Sequence, residues 1–138
     1  MYKKTLKYTD YDGNEREEDF YFNLSKAEIL EMQLSVEGGF VSYIQKIISS
    51  QDVPSLISVF KELVLKAYGE KSSDGRRFIK SKDISEAFSQ TEAYSDFFMQ
   101  LVMDSEEATK FVNSIVPADI SQDANRVNNN VAIANTGN

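Results

Sequence analysis

The residues best equipped for chemistry in this chain are carboxylates, with one pair of arginines. Asp10, Asp12, Asn14 and Glu15 resemble the opening of a calcium loop, but the glycine falls at the fourth position instead of the sixth and no glutamate stands at the twelfth. An Asp12-Gly13 hairpin turn accounts for the same residues. Gly69-Glu70-Lys71-Ser72 ends like a phosphate loop, yet the first glycine of that motif is missing and no strand is expected before it. Glu17, Glu18 and Asp19 are of the right type for acid and base. On a strand without basic neighbours they read instead as a solvated edge that discourages pairing with other chains. Arg76 and Arg77, behind Asp74-Gly75, suit a phosphate or a partner's carboxylate, the commoner case being a solvated loop.

What is missing narrows the chemistry further. The 138 residues include no histidine and no cysteine, which removes thiol nucleophiles, Ser-His and Cys-His pairs, imidazole acid-base catalysis and the usual zinc sites. No catalytic set, metal or cofactor is expected. The formal charge of -7 opposes binding to nucleic acid through phosphates. No apolar run approaches the roughly 20 residues that span a bilayer, and Lys3-Lys4 is not followed by the apolar stretch of a signal peptide. The expected location is the cytoplasm.

The apolar residues carry the stronger pattern. Val53, Leu56, Ile57, Phe60, Leu63, Val64 and Ala67 recur at helical spacing, as do Tyr94, Phe97, Phe98, Leu101 and Val102. Neither helix would be stable alone in water, so the two are expected to wall one core, with Ile79, Ile84, Ala87 and Phe88 between them. Core packing is the plain account of Tyr94, Phe97 and Phe98. Nearly every helix has a full apolar stripe, however, and Met32, Met99 and Met103 add adaptable side chains, so a partner-binding surface competes with it.

The remaining elements follow from turn and cap signals. Residues 2–24 read as a β-hairpin around Asp10–Asn14. An odd loop is required to keep the apolar faces together, and it is expected to set Leu6 against Phe22, Tyr8 against Phe20, Lys7 near Tyr21 and Thr9 near Asp19. Ser25 and Glu28 form a capping box for a helix reaching about Val36, where Glu37-Gly38-Gly39 stops it. That helix has two stripes, Ala27/Leu30/Leu34 and Ile29/Met32/Val36, so it is deeply buried or leaves one for a partner. A short helix over Phe40–Ile48 comes next, then Asp52 caps the long helix with Pro54 in its first turn. A polar connector, Gly69–Arg77, leads to helices opened by Ser81 or Lys82-Asp83, by Thr91-Glu92 and by Asp104, the last ended by Pro117. From Ala118 the periodicity fades, and the Asn-rich end reads as a flexible tail.

Three phrases, Phe20–Glu28, Ala67–Phe78 and Phe88–Tyr94, resemble the tail assembly chaperones of long-tailed bacteriophages, over roughly residues 15–117. The resemblance implies a non-enzymatic protein that coats the aggregation-prone tape measure protein, yields its place to tail tube subunits and is absent from the finished particle. It also implies that a frameshifted longer form recruits the major tail tube protein.

Together these readings give a mostly α fold: a compact helical bundle with an N-terminal β-hairpin (residues 1–24), a helical core (25–117) and a flexible C-terminal tail (118–138). The expected contact residues are Tyr94, Phe97, Phe98 and Leu101, with Arg76 and Arg77 as polar contacts beside them. Homo-oligomers are possible; nucleic acid and membrane are not expected partners. The rival classes are a structural virion component or head-tail completion protein, an enzyme built on Asp, Glu and Tyr, and a DNA-binding regulator.

Overall fold

The computed structural model describes residues 1–116; Pro117 and the expected tail lie outside the described residues. Strands β1 (Tyr2–Thr9) and β2 (Glu15–Phe22) form the N-terminal hairpin and are followed by α1 (Lys26–Ser35), α2 (Phe40–Ser50) and α3 (Val53–Ala67). Two short strands, β3 (Tyr68–Lys71) and β4 (Phe78–Ile79), precede α4 (Lys82–Ser89), α5 (Glu92–Met103) and α6 (Ser105–Ile115). The sheet is antiparallel in the order β1-β2-β3-β4.

The hairpin loop has the expected odd length, but the register differs. Tyr2 pairs with Phe22, Lys4 with Phe20, Leu6 with Glu18 and Tyr8 with Arg16; across the outer face Lys7 meets Glu17 and Thr9 meets Glu15. The loop closes early because the Asp10 carboxylate accepts from the amides of Asp12 (3.0 Å) and Asn14 (2.9 Å) and from Arg16 Nε (2.6 Å). Gly13, at φ +82°, supplies the left-handed step. The offset from the expected pairing is an even number of residues, so the same side chains still face the core. The acidic half of β2 is also not free of basic neighbours: Lys3 lies 3.5 Å from Asp19, whose carboxylate accepts from the Thr5 hydroxyl.

The polar connector proves to be a second hairpin. Gly69 pairs with Tyr21 and Tyr68 with Phe22, which adds β3 to the sheet. Strands of only four and two residues around a charged turn leave no apolar alternation to read, and the turn chemistry alone marked a loop. Its turn is held by Asp74, which accepts from the Ser72 hydroxyl (2.7 Å) and the Arg76 amide (3.0 Å), and by Gly75 at φ +73°.

The helix caps fall where the sequence places them. Ser25 and Glu28 make the reciprocal box; Asp52, Ser81, Thr91 and Asp104 each accept from an amide in the first turn of α3, α4, α5 and α6. Helix α2 starts at Gly39 without a side-chain cap of its own. Gln33 supplies one from α1: its buried Oε1 accepts from the Val41 amide at 2.6 Å.

The core runs under the sheet and between the helices. Phe22 is fully buried at its centre, with ring centroids of Tyr2, Tyr68, Phe88, Phe97 and Phe111 between 5.1 and 6.2 Å away. In α3 the buried row is Leu56, Val59, Phe60, Leu63, Val64 and Ala67, whereas Val53 and Ile57 are exposed, against expectation. Of the four residues expected between the long helices only Phe88 is buried; Ile79 and Ile84 are half-buried and Ala87 is exposed. The reason is that β3 and the hairpin fill the space: Tyr68 stacks on Phe88 at 4.0 Å, so α4 needs only that one ring inside.

Gly69 gives a direct test of the second hairpin. An added Cβ would stand 2.7 Å from the Phe78 ring and 2.8 Å from the Ile79 carbonyl oxygen. Gly69→Ala is expected to lower unfolding stability by about 1–3 kcal/mol in a denaturant titration. An unchanged midpoint would mean that β3 and β4 do not pack as described.

Candidate functional site

The six residues singled out from sequence do not form one surface. Phe97 and Leu101 are 0% and 1% exposed and belong to the core, where Phe97 packs 5.1 Å from Phe22 and edge-on to Phe111. Contact of Phe97 with a partner would require α5 to leave its place. Tyr94 and Phe98, stacked at 5.8 Å, are half-buried along the margin of the same helix. Arg76 and Arg77 lie elsewhere, exposed on the β3–β4 turn, and their side chains make no hydrogen bond or ion pair among the described residues.

The structure gathers a different set. The N-terminal half of α3 and the C-terminal half of α5 wall a groove of about 520 Å³, closed at one end by Ile48 of α2 and by Ser105 and Ala108 of α6. Val53 and Ile57 on one wall, Met99 and Met103 on the other, are 44–78% exposed. Phe98 and Val102 line it, and Leu101 forms part of its floor. Sequence spacing placed Val53 and Ile57 with the core row; they sit one step round the helix from it, a distinction of a single position that periodicity alone does not make. The two methionines were the legible signal.

A second exposed apolar row lies on α1, where Leu30 and Leu34 are 43% and 58% exposed while Ile29, Met32 and Gln33 turn inward. The helix with two stripes therefore leaves one outside. Tyr43 of α2, also exposed, flanks a shallower depression lined by Met32, Val36, Phe40 and Val59.

None of the catalytic or metal readings finds support in the geometry. Asp10 is committed to its loop, Gly69-Glu70-Lys71 is a strand, and no group of three potential metal ligands occurs among the described residues. The shifted groups are structural. Glu107 accepts from the Tyr2 hydroxyl (2.5 Å) and lies 3.2 Å from Lys4 Nζ, tying β1 to α6. The Tyr2 hydrogen bond, with Lys4 and against burial, holds the Glu107 carboxyl below its ordinary value. Burial and that same contact push the Tyr2 phenol well up. Burial raises Glu28, but bonds from Lys80 (2.8 Å) and the Ser25 amide outweigh it, leaving its carboxyl lowered too. Tyr8, bonded to Glu18, is raised to about 12.

A family model described as phage tail assembly chaperone matches residues 1–136. The chain belongs to the phage tail assembly chaperone family. The match extends well beyond the span over which the resemblance was read from the sequence and takes in most of the residues after 117. No curated protein and no solved structure matches the chain. Among the described residues, no helix of this chaperone-family protein is long and apolar enough to cross a membrane.

A carboxyl lowered by folding contributes stability that is complete above its unfolded pKa and is lost as pH falls through the folded one. Glu107→Gln is therefore expected to cost about 1–3 kcal/mol at pH 7 and to flatten the loss of stability below the ordinary value of 4.5. Parallel pH profiles for the variant and the parent would remove Glu107 from this role.

Proposed function

We propose that the protein is a non-enzymatic assembly chaperone that covers apolar helical segments of the phage tape measure protein and keeps it in solution until tail tube subunits take its place. The observation that carries this reading is the groove rimmed by Val53, Ile57, Met99 and Met103, apolar surface left open next to a fully closed aromatic core. Such a surface suits a helix laid into a groove. The exposed Leu30–Leu34 row offers a second, shallower contact. Tyr94 and Phe98 act at the groove margin, with Phe97 and Leu101 supporting them from beneath. Arg76 and Arg77, on a separate turn, supply polar contacts to another stretch of the same partner or to the tube protein.

Displacement by tube subunits sets an upper limit on affinity. Each contact must be modest, with strength coming from many copies side by side, because a tightly held chaperone would block polymerisation. The protein then acts in the host cytoplasm and is absent from the mature virion. Recruitment of the major tail tube protein falls to a frameshifted longer form.

Co-expression with the tape measure protein checks the reading. The chaperone should bring that protein into the soluble fraction, and Phe98→Asp should weaken its capture by roughly 5- to 150-fold, as expected for a contact worth about 1–3 kcal/mol, without unfolding. A tape measure protein that stays insoluble with or without the chaperone would contradict the reading. Mass spectrometry of purified particles should find none of this chain; stoichiometric copies would mark a virion component instead.

A further inference from the structure

We infer that the α3–α5 groove selects an amphipathic helix whose apolar stripe is bordered by lysine or arginine, a choice that rests on the chaperone reading and adds the chemistry of the segment it holds. The residues lining the groove include no charged group, so selection by charge must come from the rim. On α5, Asp96 stands three and seven residues before Met99 and Met103, hence on the same side of the helix. At the other end, Glu106 follows Ser105 and lines the adjoining depression that shares Ile48, Gln51 and Ser105 with the groove. Both carboxylates are exposed, and neither takes part in a hydrogen bond or ion pair among the described residues.

Asp52 and Asp104 also sit at this end, but they are occupied by the first-turn amides of α3 and α6 and offset the positive ends of those helices. The cations are Lys61, one turn beyond Ile57, and Lys110, in the adjoining depression. Helix α5 itself carries Glu92 and Asp96 and no basic residue. The wall from Asp96 to Glu106 thus carries a carboxylate at each end and no basic residue between them, and the stretch of α5 from Asp96 to Met103 spans about 11 Å at 1.5 Å per residue. That length takes two turns of a partner helix, with apolar anchors at i, i+3 or i+4, and i+7, and basic residues flanking them toward α5 and α6.

Two synthetic helical peptides with the same leucine and isoleucine stripe, one flanked by lysine and arginine and the other by glutamate, test the inference by fluorescence anisotropy on the full chain. The basic peptide should bind about three- to tenfold more tightly at low salt, the difference shrinking as salt screens the rim. Asp96→Lys with Glu106→Lys, at exposed positions, should reverse the preference. Ile57→Asp should abolish binding of both. Equal affinities, an unreversed preference, or no binding by the parent protein would each overturn the inference. Should the basic preference be absent while co-expression still dissolves the tape measure protein, the charge assignment fails and the chaperone reading stands. If co-expression fails, the reading itself is lost whatever the peptides do.

Discussion

The structure depends on the burial of Phe22. This ring comes from the last residue of the N-terminal hairpin, yet its neighbours come from β1, β3, α4, α5 and α6. Aromatic rings at 5–6 Å in tilted and edge-on arrangements combine a large apolar burial with favourable quadrupole contacts. One residue thereby fixes the sheet against three helices and β3 alongside β2. The backbone repeats the connection, since the Asn23 amide donates to the carbonyl of Ala67 at the end of α3. With the sheet end held in this way, α3 and α5 are left side by side at the other end with their outer rows uncovered.

Polar ties hold the same parts in register without adding reactive groups. Glu107 joins β1 to α6 through Tyr2 and Lys4, Glu28 joins the start of α1 to Lys80 ahead of α4, and the Ser85 hydroxyl donates to the Leu65 carbonyl. The charged side chains of these ties are 15–28% exposed, where a charged hydrogen bond keeps some of its strength and still accepts water. The division of labour is between a core that is closed by aromatic rings and a rim that is apolar by exposure of methionine, valine and isoleucine. Methionine suits the second task because its unbranched, polarisable side chain conforms to more than one partner surface.

Much of this was legible in the sequence, and what was not has identifiable causes. Five of the six described helix starts followed from capping chemistry, which depends on local spacing: Ser25 with Glu28, Asp52 with Pro54, Ser81, Thr91 and Asp104. The hairpin's faces were readable because alternation fixes them, but its register was not, being set by what Asp10 does inside the loop. Strands β3 and β4 were hidden because the pairing of β3 with β2 is a tertiary event, and the segment that folds β4 back onto β3 is too short and charged to show a period. For the site, spacing put Phe97 and Leu101 in the same stripe as Phe98. Only the position of α6 and the hairpin decides that the first two face inward and that Met99 and Met103 face out.

The proposal that the open groove takes the tape measure protein while the core stays closed is open to amide hydrogen exchange on the full chain with and without that protein. Added protection is expected in residues 53–57 and 99–103, with no loss of protection around Phe22 and Phe97. Deprotection of α5 on capture, or new protection confined to the hairpin, would contradict it.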